Sequence, residues 1–515
     1  MRSYLILGML KGKFFFGIVA FFLDSFGLYA QIDTNIKDEQ YRPLIHFSPK
    51  EKWVNDPNGM VYHNGIYHLF YQYHPNSSVW GPMHWGHATS KDLVHWKREP
   101  IKIFPDSLGT IFSGSAVVDK NNTSGFGKKG VVPIVAIFTQ HNEAGEKAGK
   151  NDYQNQSLAY SLDNGKSWTK YSDNPVLKSP GIRDFRDPKV FWHEPTKKWI
   201  MSLAVVDRIY FYSSYNLRNW TKESDFGETA GAHGGVWECP DLFPLDYNGK
   251  EIWVLIVNLN PGGPNKGSAT QYFLGDFDGK NFSPYSIETK WLDYGPDDYA
   301  GITWSNTGKR KIFLGWMSNW MYANFVPTET WRNAMTIPRE LRIVKTGNDM
   351  LVASTLIKEI AKLKSKPVVS KNVVLSKPID IAKTSSIKFP CLINLSTDSI
   401  KDFSVTLSND DSEKLVIGYD RASNQYFIDR TRSGKTNFHK EFAAKHTAPR
   451  FVNISKLNLS LLIDVSSLEL LADDGLTVMT VIFFPNKPYN QIQVGSTERA
   501  VIKKLEYIKL KSIWR

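Results

Sequence analysis

The chain has 515 residues, 42% hydrophobic and 22% charged, enough to bury a large core in more than one domain. Its formal net charge is +12, but no Lys/Arg run has the length of a nucleic-acid patch, so no nucleic-acid partner is expected. Its two cysteines, Cys239 and Cys391, lie far apart without metal-type Cys/His spacing, which argues against a disulfide framework and a structural metal.

The first 30 residues read as an export signal. Lys11 and Lys13 precede the apolar run Phe14-Phe15-Phe16-Gly17-Ile18-Val19-Ala20-Phe21-Phe22-Leu23, and Leu28-Tyr29-Ala30 offers a cleavage site before Gln31. The run is too short to span a bilayer comfortably and Asp24 ends it, so the mature chain is expected outside the membrane, periplasmic or extracellular.

The stretch that follows is Trp53-Val54-Asn55-Asp56-Pro57-Asn58-Gly59. Pro57 fixes φ and Asn58-Gly59 tolerates positive φ, so it reads as a turn holding Asp56 at the head of a strand. Residues 60–71 then read as a β-hairpin with Asn64-Gly65 at its tip.

From about residue 45 to 345 strand follows strand, with Gly, Pro, Asn and Asp at the turns. Aromatics make up 13% of the chain, with 16 Trp and 23 Tyr, which suits β-packing and also the flat faces of sugar rings. A repeat runs through this half. Ser90-Lys91-Asp92-Leu93-Val94-His95-Trp96 is matched by Ser214-Tyr215-Asn216-Leu217-Arg218-Asn219-Trp220. Ser161-Leu162-Asp163-Asn164-Gly165-Lys166-Ser167-Trp168 is a longer version and Gly275-Asp276-Phe277-Asp278-Gly279-Lys280-Asn281-Phe282 a degenerate one. The period of roughly 50–70 residues fits a four-stranded propeller blade with long loops, and about five blades fill the segment. A helical face is expected around Ser354–Leu363. Beyond it, alternating runs such as Leu459-Ser460-Leu461-Leu462-Ile463 predict an antiparallel β-sandwich of about 150 residues. The fold expected is all-β: a signal over 1–30, a five-bladed propeller over 31–350 and a sandwich over 351–515.

Four further short sequences keep phase with the repeat: Phe112-Ser113-Gly114-Ser115, Phe185-Arg186-Asp187-Pro188, Trp237-Glu238-Cys239-Pro240-Asp241 and Asp293-Tyr294-Gly295-Pro296-Asp297-Asp298-Tyr299. Equivalent positions in successive blades converge on the axis, so Asp56, Asp187 and Glu238 would share one funnel. Carboxylates crowded in one pocket acquire separated pKa values, which suits acid and nucleophile chemistry on a glycosidic bond.

With these motifs in order, the mature chain resembles glycoside hydrolase family 32, the β-fructofuranosidases (invertases, inulinases and levanases). The resemblance implies a five-bladed propeller followed by a β-sandwich. It implies Asp56 as nucleophile, Glu238 as general acid/base and Asp187 as the stabiliser that bonds fructose hydroxyls, with Arg186 beside it. Asn55, Gln72, Trp80, Phe112, Ser113, Tyr299 and Trp320 match positions lining the subsite for a terminal fructose. Asp298 departs from the family, whose members often carry an aromatic residue before the tyrosine. The implied mechanism is retaining, with the two carboxyls about 5–5.5 Å apart. It requires Glu238 to hold a proton and Asp56 to be ionised.

The early histidines, His63, His68, His74, His84, His87 and His95, show no zinc-type spacing, so neither metal nor cofactor is expected. Cys239 reads as a small packing residue beside Glu238, since no histidine partner is suggested nearby. Fructan or sucrose is the expected substrate, with exo-action because a pocket closed at the axis accepts chain ends. A fructosyltransferase and a non-catalytic fructan-binding protein are the competing functions. The sequence leaves linkage preference and oligomeric state open.

Overall fold

The repeat is a repeat of turns. Asp92 Oδ1 accepts the backbone N–H of Val94 and His95, and Asn216 Oδ1 accepts those of Arg218 and Asn219 in the same way. Each is preceded by a serine, Ser90 or Ser214, whose Oγ accepts the N–H two residues on. Asp163 Oδ1 accepts from Ser167, and Asp278 Oδ1 from Lys280 and Asn281. Short acidic or amide side chains bond locally to the backbone and close the chain into such turns.

Between these turns lie five antiparallel sheets, seen in a computed structural model that describes residues 39–128, 130–381 and 389–514. The expected export signal lies outside the described residues. The inner strands of the five sheets are Lys52–His63, Thr110–Val118, Phe185–His193, Val236–Tyr247 and Tyr299–Thr303. Each packs on the next, and the fifth returns to the first, which closes the ring of a five-bladed propeller. Trp331–Arg332 pairs in parallel with Lys52–Trp53, so chain from beyond the fifth inner strand completes the first blade.

The Asn64-Gly65 hairpin forms as expected, with φ of 47° and 80° at its two residues and His63 opposite Ile66. The segment before it does not form the expected turn. Asn55 to Gly59 lie inside one twelve-residue strand, Lys52–His63, broken by two register shifts against its partner. Pro57 is accommodated there because the first shift is a bulge, where no ladder N–H is required.

The other inner strands carry a shift at the equivalent place, between Ile111 and Gly114, opposite Ser202 and Ala204, between Glu238 and Asp241, and between Tyr299 and Ile302. A bulge adds a residue, bends the strand and re-aims side chains. All five sequence motifs are therefore bulges at one level of the propeller.

The outer strand of the fifth blade, Asp349–Leu356, takes the start of the expected helix, and only a 3₁₀ turn, Lys358–Leu363, follows. Ile360 and Leu363 are buried, and their three-residue spacing is met by 3₁₀ geometry. Two six-stranded antiparallel sheets complete the chain. Alternate residues such as Leu459, Leu461 and Ile463 on one sheet and Val405, Leu407 and Ile417 on the other fill the space between them. Cys391 lies in this core, and both cysteines are free.

Buried ions join propeller to sandwich. Arg339, fully buried, meets Asp293 at 3.0 Å and also Asp298, with Glu469 of the sandwich at 3.5 Å. Arg430 of the sandwich reaches Asp297 at 2.7 Å. The arm ahead of the first blade crosses to the sandwich as well. Leu44 and Ile45 donate their N–H groups to Asp464, and His46 bonds Asp464 and Glu469 at 2.8 and 2.9 Å.

Candidate active site

Where the bulges converge, a cavity of about 430 Å³ opens to solvent. Asn55, Asp56, Gln72, Trp80, Phe112, Ser113, Arg186, Asp187, Glu238 and Trp320 line it. Only Tyr299, among the residues expected here, does not. It is buried behind Glu238 and donates its hydroxyl to Oε2. A larger cavity, about 580 Å³, opens at the other end of the inner strands. Its buried Lys189 is paired with Asp241 at 3.2 Å, so it holds a satisfied ion pair rather than a cluster of acids.

Each carboxylate in the smaller cavity is held by its bulge and the next blade. Asp56 Oδ1 accepts from Asn55 Nδ2 at 2.9 Å, and Asn55 is itself fixed by Trp53 Nε1 at 2.7 Å. Asp56 Oδ2 accepts from Ser113 Oγ at 2.6 Å, a contact from the second blade. Asp187 sits at φ 64°, a left-handed conformation uncommon outside glycine. Its N–H donates to Thr139 Oγ1 at 3.0 Å, and its Oδ2 accepts the N–H of Cys239 at 3.1 Å. Cys239 is also left-handed, at φ 42°, and its Sγ lies 3.6 Å from Asp56 and 3.7 Å from Asp187. Ala300, at φ 53°, is the counterpart in the fifth blade.

Arg186 is the one guanidinium among these acids. Its Nε and Nη2 donate to Glu238 Oε1 at 3.2 and 3.0 Å, and its Nη1 donates to Asp184 at 2.6 Å. One cation does not neutralise so many acids. Burial, with the charges of Glu238 and Asp56, pushes Asp187 up to about 7 against the pull of Arg186. Burial and Glu238 also push Asp56 up, against the donors Ser113 and Asn55. Burial and the surrounding carboxylates push the Cys239 thiol well up, so its sulfur is a weak S–H donor between two acids rather than a thiolate.

Aromatic rings wall the mouth. Phe112 stacks flat on His141, with centroids 4.3 Å apart, and Trp80 meets Phe112 edge-on. Trp320 stacks on Trp53. Asp298 faces away from the cavity, toward Arg339, which accounts for an acid where an aromatic residue was expected. His68 and His87 form a stacked buried pair, Nδ1 to Nε2 at 3.1 Å, away from the cavity lining.

Sequence reasoning missed His141, Glu146, Gln154, Asp184, Asn260 and Asn324, which also line the cavity. Asp184 had a signal, standing three residues before Asp187 in a repeated Arg-Asp pattern, Arg183-Asp184-Phe185-Arg186-Asp187. The others come from second and third strands, a short helix and a loop outside the repeated motifs. Glu146 rides on the helix Glu143–Lys147, capped by Asn142, and meets His141 at 3.1 Å.

Comparison with known proteins places the fold in a family. Residues 46–354 match the Glycosyl hydrolases family 32 N-terminal domain, and residues 355–510 match Glycosyl hydrolases family 32 C terminal. The levanase of Bacillus subtilis is 45% identical over 496 residues, covering 94% of this chain and 72% of the relative. The extracellular exo-inulinase of Aspergillus niger is 39% identical over 497 residues, covering 89% and 92%. The crystal structure of exo-inulinase from Aspergillus awamori superposes with a TM-score of 0.85 at 34% identity, covering 93% of this chain and 99% of that one.

Proposed function

The chain belongs to glycosyl hydrolase family 32, and we propose that it is an exported, exo-acting β-fructosidase that releases terminal fructose from fructans or sucrose with retention. One observation carries this reading: three carboxylates from three blades, Asp56, Asp187 and Glu238, meet in one cavity around a single guanidinium. The fold and the relatives named above give a glycoside hydrolase. The assignment of roles, the domain limits near residue 350 and export are parts of the proposal.

In this reading Glu238 gives its proton to the glycosidic oxygen while an Asp56 oxygen attacks the anomeric carbon. The C–O bond to the leaving sugar breaks and a fructosyl ester forms on Asp56. Water then attacks the same carbon, Glu238 takes its proton, and fructose leaves with Asp56 regenerated. Asp187, fixed by Cys239 and Thr139, is placed to accept hydrogen bonds from fructose hydroxyls. Asn55 and Ser113 hold Asp56 for attack, and Tyr299 and Arg186 hold the two oxygens of Glu238. The three carboxylates lie where the inner strands of the blades converge, and a pocket closed at the axis accepts chain ends, which supports exo-action.

A timed product profile on sucrose, inulin and levan tests this, with Glu238→Ala as control. Fructose as the sole early product from inulin and levan, and equal amounts of glucose and fructose from sucrose, all lost in the variant, is the expected result. Early oligosaccharides mean internal cleavage, growing chains from sucrose mean transfer, and binding without product means a non-catalytic role. Any of these overturns the reading.

A further inference from the structure

Two paths lead from the cavity to the sandwich. One starts at Trp80, whose backbone N–H donates to Asn324 Oδ1 at 2.9 Å. Asn324 lines the cavity, and the next residue, Phe325, stands 59% exposed. Phe325 is nevertheless fixed. Its N–H donates to the Tyr322 carbonyl at 2.8 Å, and its ring stacks on His439 of the sandwich, centroids 5.8 Å apart at 20°. Trp80 is 43% exposed at the other end of this path. The second path starts at Asn260, also in the cavity wall. The loop after it is tied to the sandwich by Lys266–Glu441 at 2.9 Å and by Asn265 Nδ2 donating to Thr447 O at 2.9 Å. The stretch 439–441 thus touches both segments that run out from the cavity wall, one after Asn324 and one after Asn260.

Single exposed apolar side chains are ordinary on protein surfaces. An indole and a phenyl ring joined through a cavity-lining amide, with the outer ring braced by a second domain, form a rigid step leading out of the site. Flat rings of this kind suit the apolar face of a sugar, and neighbouring amides suit its hydroxyls. Braced rings also lose little conformational freedom on binding.

We propose that Trp80, Asn324, Phe325 and His439 form a binding edge for the units of a fructan chain beyond the one being cleaved, built jointly by propeller and sandwich. The proposal rests on the fructosidase reading and gives the sandwich a direct part in choosing polymer over disaccharide. Sucrose, with one unit past the scissile bond, reaches little of this edge. A longer chain covers it.

The test is kcat/KM on sucrose, a trisaccharide fructan and long inulin and levan, for wild type, Phe325→Ala, Phe325→Trp and His439→Ala. Phe325→Ala should lower the polymer value about tenfold more than the sucrose value, through KM rather than kcat. Phe325→Trp should retain polymer preference, and His439→Ala should give a smaller loss of the same kind. Because Phe325 is exposed, the variant keeps its core, and an unchanged melting temperature checks this. Equal losses on sucrose and polymer, or no loss on either, would overturn the edge while leaving fructose release intact. No fructose from any substrate by the wild type would instead remove the reading on which the edge rests.

Discussion

The molecule buries acids in two places and supplies them with cations unequally. At the foot of the cavity Asp187 and Glu238 share Arg186 beside Asp56, and burial pushes Asp187 and Asp56 up. At the junction with the sandwich, Asp293, Asp297, Asp298, Asp464 and Glu469 are met by Arg339, Arg430 and His46. There Glu469 is held down: its burial is outweighed by Arg339 and His46. His46 is raised to about 9, its two acids outweighing burial. Asp298 and Asp297 are exceptions: burial, with Asp293, pushes Asp298 well up against the pull of Arg339, and burial pushes Asp297 up against Arg430. The cavity cluster leaves charge poorly compensated in a pocket open to solvent, the imbalance the proposed chemistry would use. The junction pairs its charges out of water, where their loss is felt as lost cohesion.

The comparison breaks if both clusters answer mutation alike. Glu238→Gln should lower kcat on sucrose by roughly 10²–10⁴-fold, the usual worth of a general acid/base, with a melting temperature at or above wild type. Arg339→Met should do the reverse, costing roughly 3–5 kcal/mol in denaturant unfolding by stranding Asp293, Asp298 and Glu469, while the folded fraction keeps its kcat. His46 sets a pH limit on the junction. Its folded pKa lies above the unfolded value, so its stabilisation is complete below about 6.5 and is lost as pH rises through about 9. On the order of 3 kcal/mol should disappear over that window in wild type, and His46→Gln should flatten the profile. Thr139→Val should cost about 1–3 kcal/mol, because the buried N–H of left-handed Asp187 loses its acceptor. It should also lower kcat, a joint effect that distinguishes it from both cluster variants. Smallest is Gly65→Ala at the first hairpin tip, about 1 kcal/mol for a methyl at φ 80° with nothing near it, with activity unchanged.

Much of this was legible because the fold is repetitive. The Ser-x-Asp/Asn turns marked the blades, since a short polar side chain bonding its own backbone leaves the same trace each time. The five motifs marked the cavity because each blade presents its bulge at one level. The bulges themselves were misread: Asp56-Pro57 carries turn chemistry, and only a partner strand reveals that it lies inside a ladder. Tyr299 matched a position lining the subsite, but its depth behind Glu238 depends on how the fifth strand packs. Glu146, Asn260 and Asn324 left no trace, because a short helix, a strand end and a loop outside the repeated motifs have no period to betray them. The junction acids were similarly hidden, since Arg339 and Glu469 are separated by more than a hundred residues and share no motif.

The arm at Leu44–His46 also fixes an order of events. Its partner Asp464 is 420 residues away in the chain. At synthesis rates of 5–20 residues per second, roughly 20–80 s pass between the appearance of the arm and that of its dock. The first blade must wait as well for Trp331–Arg332, its parallel neighbour. The earliest part of the propeller to emerge is thus the last to be sealed, and through that interval its apolar strands stay open to chaperones, proteases or a neighbouring nascent chain.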